Sequence, residues 1–385
     1  MIPLSVPNFE GNEEKYVLDA VHQGWVSTGG AYVTRFEKDV SSYVGVPAAV
    51  ACQSGTAALH LALLECGVGP DDAVIVPTLT FIAAVNPVRY IGATPLFMDC
   101  DDSLCMDPEK LRTFCEEECE VTQAGLVHRE SGKTIKALVV VHVFGNLADM
   151  ERIFETARKY GLKVIEDATE ALGSRFETGQ FAGRYAGTLG DYGAYSFNGN
   201  KLITTGGGGM LVARDPDLLE HARYLSTQAK DDPLFYEHKQ IGYNYRMTNV
   251  QAAIGVAQME ELDEFISRKN LNWERYAELL DGCESGRLLP FRDGTRSNKW
   301  FYSFVCSHSL SLQEMHGAID SLQHQGIQTR PIWGLISEQK PYVDYPAYDI
   351  VTAPYYRSRV INIPCSTNIT DTEIAAVCDA LRKLF

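Results

Sequence analysis

The sequence predicts an α/β protein of two domains: a large one over residues 1–248 on a mostly parallel sheet, and a smaller C-terminal α+β one over residues 249–385. Three observations carry that expectation. Short apolar runs alternate with helical patterns through the first two thirds of the chain, the pattern of a parallel sheet with crossover helices. One such run, Ala137 to Val143, is predominantly apolar and β-branched, as a strand covered on both faces must be. Beyond Asn249 the period changes, with Val250, Ala253, Ile254, Ala257, Leu262, Phe265, Ile266, Trp273 and Tyr276 at helical spacing between charged residues.

Each element follows from local pattern. Ala48 to Cys52 reads as a strand and Thr56 to Glu65 as the helix after it. Ala73 to Val76 is a strand, then a helix near Ala83 to Tyr90, then the strand Thr94 to Met98. The polar segment Val121 to Lys133 is expected as a surface excursion. A helix over Met150 to Tyr160 leads into the strand Lys163 to Ile165, and Ala194 to Phe197 is a further strand. One or two long amphipathic helices follow Asn249, then a strand at Tyr302 to Cys306 and a closing helix from Asp371 to Leu384.

Bulk properties exclude several classes. A formal net charge of −16 disfavours a general nucleic-acid or anionic-membrane binder, since either wants a basic field. The N-terminal residues lack a basic region followed by an apolar one, so no signal peptide is expected, and the longest apolar run is too short to span a bilayer. The ten cysteines show neither disulfide nor metal-site spacing and are expected as free thiols of a reducing cytoplasm. No metal is expected.

Three segments carry chemistry. Ser54-Gly55-Thr56-Ala57 leaves a strand and opens an apolar helix, where free backbone N–H groups and two hydroxyls suit a phosphate, although the same residues also make an ordinary cap. Asp167 closes an apolar strand at the carboxyl edge of the sheet, where open α/β folds bind ligands. Lys201 lies between a buried-type strand and Leu202-Ile203-Thr204-Thr205, a poor place for an idle ammonium. A lysine and a carboxylate so placed suit pyridoxal phosphate, whose aldehyde needs an amine and whose ring nitrogen needs an anion. Phe81, after a strand end, could lie against the cofactor ring. The run Gly206 to Gly209 fits neither nucleotide-loop spacing and is expected as a tight hairpin turn.

Taken in order, the segments Gly24–Gly30, Ser54–Leu59, Glu166–Ala168, Ser196–Lys201, Gly242–Arg246 and Thr329–Trp333 resemble the DegT/DnrJ/StrS-type sugar aminotransferases nearly end to end. The resemblance implies a fold-type I pyridoxal phosphate enzyme with a seven-stranded large-domain sheet. It implies Lys201 as the amine bound to the cofactor, Asp167 on the pyridine nitrogen, Phe81 on the ring, and Gly55, Thr56 and Ser196 on the phosphate. It further implies Asn244 reaching that phosphate from the partner in a cytoplasmic homodimer, and Ser27, Thr28, Arg246 and Arg330 at the sugar nucleotide.

Two departures from the family pattern mark this chain. Glu170 stands where many members have His or Gln and joins the cofactor-site residues, and a histidine common after the Arg-Pro-x-Trp segment is missing around Leu335 to Ser337. Glu170 with Ser-Phe-Asn-Gly-Asn-Lys is most similar to the branch on the bacillosamine and legionaminic acid routes. The implied reaction passes an amino group from glutamate to a 4-keto-6-deoxy sugar nucleotide, with UDP-2-acetamido-4-keto-2,6-dideoxyhexose foremost. GDP-perosamine-type synthases also carry Glu there and form the alternative. A sugar dehydratase of the same fold, with His for the lysine, and a non-catalytic sensor are more distant readings.

Overall fold

Apolar runs that can be covered on both faces become the central strands. The computed structural model describes residues 1–232 and 234–384. Its first strands are Ala48–Cys52 (β1), Asp72–Pro77 (β2) and Thr94–Met98 (β3). A hairpin follows, Cys119–Thr122 (β4) and Gly125–His128 (β5), then Thr134–Val141 (β6) and Lys163–Asp167 (β7). The short Arg175–Phe176 (β8) precedes Tyr192–Ser196 (β9) and Gly209–Ala213 (β10). Later strands are Gly286–Leu288 (β11), Thr295–Arg296 (β12), Tyr302–Cys306 (β13), Arg330–Pro331 (β14), Ala347–Tyr348 (β15) and Val360–Ile363 (β16).

The large sheet runs β1-β10-β9-β7-β6-β2-β3-β15, with β5 and then β4 attached through β6. From β9 to β15 every ladder on that path is parallel, and only β10 runs against its neighbours. The implied seven strands form its spine, and three more extend it to ten. Two of these are the hairpin β4–β5, which replaces the expected surface excursion: Leu126 and His128 turn inward while Val121 stays exposed. The third, β15, comes from far along the chain and pairs with Phe97 and Met98.

A second sheet, β11-β13-β16-β14, is antiparallel and lies wholly beyond residue 285. Asp99, just past β3, ties this part of the chain to the large sheet. Its buried carboxylate accepts the backbone N–H of Val351, Thr352 and Ala353 and binds the Lys110 ammonium at 2.8 Å. Those donors hold its carboxyl below the ordinary aspartate value against the opposing effect of burial.

Helices cover both faces. The helix Gly55–Glu65 is capped by Ser54, whose hydroxyl accepts the Ala57 N–H, and packs on β9 and β10. Met150–Tyr160 is helical over the expected residues. The expected helix near Ala83–Tyr90 is instead a 3₁₀ turn, Ile82–Ala84, and a short helix, Asn86–Tyr90, because Pro87 is tolerated only in a first turn. Asn249–Glu260 and Leu262–Leu279 are the two helices expected there; only the second is amphipathic, whereas the first is apolar on most sides because it is packed on Glu13–His22 and Ala31–Val44. Among the described residues no helix is long and apolar enough to cross a membrane.

Candidate active site

The carboxyl ends of the parallel strands meet at one edge of the sheet, and a cavity of about 440 Å³ opens there. Its wall takes Gln53 to Thr56 from the turn after β1, Thr80 and Phe81 from the turn after β2, Val141 from β6 and Asp167 from β7. Ser196 ends β9, and the connection to β10, residues 197–208, carries Asn198, Asn200 and Lys201 into the wall. Trp300, Phe301 and Trp333 close it from the C-terminal part of the chain. Seven sequence-predicted residues thus line one space: Gly55, Thr56, Phe81, Asp167, Glu170, Ser196 and Lys201.

Lys201 is mostly buried, with its ammonium 3.5 Å from the Glu170 carboxylate and 4.0 Å from the centroid of the Trp300 ring. Glu170 also accepts the Phe144 N–H at 2.8 Å. Phe144 adopts φ 57°, ψ 18°, a left-handed conformation that is unusual for an aromatic residue and that aims its N–H at the acid. Burial pushes the Glu170 carboxyl up to about 7, and the lysine charge and the Phe144 N–H only partly oppose it. Burial also raises Asp167, while the Thr169 hydroxyl, the Thr169 backbone N–H at 3.1 Å and the Lys201 charge pull the other way.

These features fit pyridoxal phosphate. Asp167 is a buried acid at the cavity wall with spare acceptor capacity, which a protonated ring nitrogen would fill. The cradle at the helix start is tight: a Cβ on Gly55 would come within 2.9 Å of Thr169 and 3.0 Å of Ser196. Glycine there lets backbone N–H groups approach a phosphate, which the helix dipole favours.

The glycine run behaves differently from its expected role. Strands β9 and β10 do form a hairpin, but the connection is long, and the glycines lie at its far end. A Cβ on Gly209 would stand 2.3 Å from the Ser54 backbone, so close approach to the Ser54–Gly55 turn, rather than a tight turn of its own, requires the glycine.

Five expected residues lie off this wall. Ser27, Thr28, Asn244 and Arg330 are exposed. The Asn244 side chain accepts from Gln228 at 2.9 Å, and Arg330 donates to the Thr329 carbonyl. Arg246 is largely buried and turned to structure: its guanidinium binds the Glu37 carboxylate, which also holds Arg223 and the Ala51 N–H. Since Gln53 N–H donates to the Tyr245 carbonyl at 2.7 Å, that ion pair fastens the 242–246 segment beside the cradle.

The sequence reading missed Trp300, Phe301 and Phe144. Trp300 and Phe301 stack at 4.0 Å between centroids, and Phe144 packs on Trp333 at 4.7 Å. Only Trp333 lay in a segment already singled out.

A pyridoxal-type lysine and acid at the edge of a mostly parallel sheet define a transaminase-like site. The chain belongs to the DegT/DnrJ/EryC1/StrS aminotransferase family, which it matches over residues 7–382. It is an enzyme of that family, with pyridoxal phosphate as its cofactor. It is 37% identical to a GDP-perosamine synthase of Caulobacter vibrioides, over 100% of this chain and 98% of that one. It is 33% identical to the UDP-N-acetyl-3-dehydro-alpha-D-glucosamine 3-aminotransferase of Acidithiobacillus ferrooxidans, over 90% and 87%. The crystal structure of the aminotransferase TlmJ from Streptoalloteichus hindustanus superposes with a TM-score of 0.87 at 27% identity, covering 100% of this chain and 98% of that one.

Proposed function

We propose that this chain transfers an amino group from glutamate to the 4-keto group of a nucleotide-linked 4-keto-6-deoxy sugar. The grouping of Lys201, Asp167 and Glu170 around one cavity carries the reading. When bound, pyridoxal phosphate supplies an aldehyde for an amine and a protonated ring that stores electrons. Lys201 would supply the amine for that aldehyde and the general acid and base that moves a proton at the reacting carbons. Asp167 holds the ring nitrogen protonated through a charge-assisted hydrogen bond of about 1.5–3 kcal/mol. Gly55, Thr56 and Ser196 hold the phosphate, Phe81 covers the ring, and Glu170 keeps the lysine amine in place.

The homodimer belongs to the same proposal, with Asn244 of a second copy reaching the phosphate and Ser27, Thr28 and Arg330 handling the sugar nucleotide. Exposed Trp25, beside Ser27, and Ile241, adjoining the segment of Asn244, support it, because exposed apolar side chains there want a cover. Arg246 serves the site by fixing the segment that bears Asn244. The division into residues 1–248 and 249–385, and a cytoplasmic location, stand with this reading; the separate sheet beyond residue 285 supports the first.

The experiment is a panel: purified enzyme, glutamate, and UDP- or GDP-linked 4-keto-6-deoxy sugars with and without a 2-acetamido group. The reading expects a product in which the ketone has become an amine, on the UDP-2-acetamido sugar first. Turnover of the GDP sugar alone would move the chain to the activity named for its Caulobacter relative. Loss of water without amine gain would mark a dehydratase and end the proposal.

A further inference from the structure

Trp300 meets Lys201 twice. Its ring faces the ammonium at 4.0 Å, and its indole N–H donates at 2.8 Å to the carbonyl of Asn200, the residue before the lysine. The first contact acts on the amine and the second on the turn that presents it. The Glu170 carboxylate lies 3.5 Å from the same nitrogen.

The tryptophan is itself immobilised. It is buried, stacked on Phe301 and packed near Phe144. Its backbone N–H donates to Asn298 Oδ1 at 3.1 Å, and its carbonyl accepts from the buried Lys269 ammonium at 2.6 Å. Asn298 turns its amide to the Glu170 and Leu172 carbonyls, at 3.0 and 2.9 Å. One buried asparagine therefore sets the tryptophan and the acid in a common frame, and both groups approach the lysine nitrogen.

We propose that Trp300 is a positioning residue for Lys201, its aromatic face and indole N–H holding the amine and its turn ready to capture the cofactor aldehyde. A lysine stem is flexible and rotamer-rich, and an indole face is the strongest aromatic partner for its ammonium. The inference rests on the reading of Lys201 as the capturing amine, and its test separates the two.

Apo-enzyme is mixed with pyridoxal phosphate, and the colour change follows capture: the Lys201 nitrogen adds to the aldehyde, a C=N bond forms and water leaves. Pyridoxine 5′-phosphate, an alcohol that cannot react, reports the cradle alone by its Kd. Trp300→Leu should slow capture about tenfold, the scale of the one lost indole hydrogen bond that holds the lysine's turn. The pyridoxine phosphate Kd should shift by much less than the capture rate. Trp300→Phe, which keeps a ring but lacks the N–H, should recover part of the rate. Wild-type capture by Trp300→Leu, or equal losses for both compounds in both variants, overturns the inference. Borohydride trapping of the wild-type enzyme decides the underlying reading: a label on any residue but Lys201 ends that reading, whereas a label on Lys201 with undisturbed Trp300 variants ends this inference alone.

Discussion

Glu166 and Asp167 are neighbours at the end of one strand, both buried, yet they face opposite worlds. Strand alternation sends them to opposite sides of the sheet. Glu166 accepts the N–H of Gly187 at 2.9 Å and of Leu189 and Gly190 at 2.6 Å, and binds His142 Nε2 at 2.9 Å. The Ala148 N–H donates to His142 Nδ1, which assigns the ring hydrogen to Nε2 and makes the histidine a donor to the acid. Asp167 has Thr169 alone as its donor residue, through the backbone N–H and the hydroxyl, and otherwise faces a cavity. A saturated carboxylate holds the fold together, and an unsaturated one waits for a ligand. The buried lysines repeat the lesson: Lys269 is bound by the Trp300 and Cys365 carbonyls, whereas Lys201 lines the cavity.

The sharpest way to break this division is Lys201→Ala. Removing the amine should abolish glutamate-driven turnover, by roughly 10⁴-fold or more, because nucleophile and proton carrier are lost together. Urea unfolding of the apo-protein should hardly change, since an incompletely partnered buried ammonium is removed. A large fall in the urea midpoint would place Lys201 with Lys269 among the structural groups.

Glu166→Ala tests the other side. It strands three backbone donors and the His142 N–H in a dry site, so the apo-protein should lose about 3–5 kcal/mol in urea unfolding. Asp167→Asn should cost little stability while impairing turnover. If the two variants exchanged these signatures, hydrogen-bond saturation would not separate structural from functional acids here.

Glu170 gives a pH-resolved version. Its folded carboxyl titrates near 7, above an ordinary glutamate, so the folded state binds the proton more tightly than the unfolded one. Its contribution to apo stability is full below about pH 4.5 and is lost as pH rises through 7. Glu170→Gln should flatten that slope, measured as the urea midpoint from pH 5 to pH 8 (roughly the window in which this acid ionises). An unchanged slope would mean the acid is already ionised throughout.

How much of this the sequence disclosed depends on what kind of contact makes each residue functional. Asp167 and Ser196 stand at strand ends, and Gly55, Thr56 and Lys201 in the connections that leave them, and alternating strands and helices bring such ends to one edge without further information. Trp300, with Phe301 stacked on it, reaches the lysine from 99 positions along the chain, through packing that local pattern does not encode. Phe144 owes its role to a backbone angle that no propensity favours. The strand β15 was hidden because two residues at a sheet edge leave no periodic signal. Conversely, the alternation of Glu166 and Asp167 was legible in principle, since two acids in succession on a buried strand must face opposite ways.

The smallest effect falls on Ser54, which stands on the boundary between the two kinds of group. Its hydroxyl caps the helix Gly55–Glu65 by accepting the Ala57 N–H at 3.0 Å, and the residue also lines the cavity. Ser54→Ala should cost about 1 kcal/mol of apo stability, and Ser54→Gly only a few tenths, as for other helix caps. If the hydroxyl is fully used by the helix, pyridoxine 5′-phosphate should bind both variants as it binds wild type. A weaker Kd in Ser54→Ala at matched folded fraction would show that this oxygen, although partnered in the fold, also serves the phosphate, and the rule drawn from Glu166 and Asp167 would then hold for carboxylates but not for hydroxyls, which donate and accept at once.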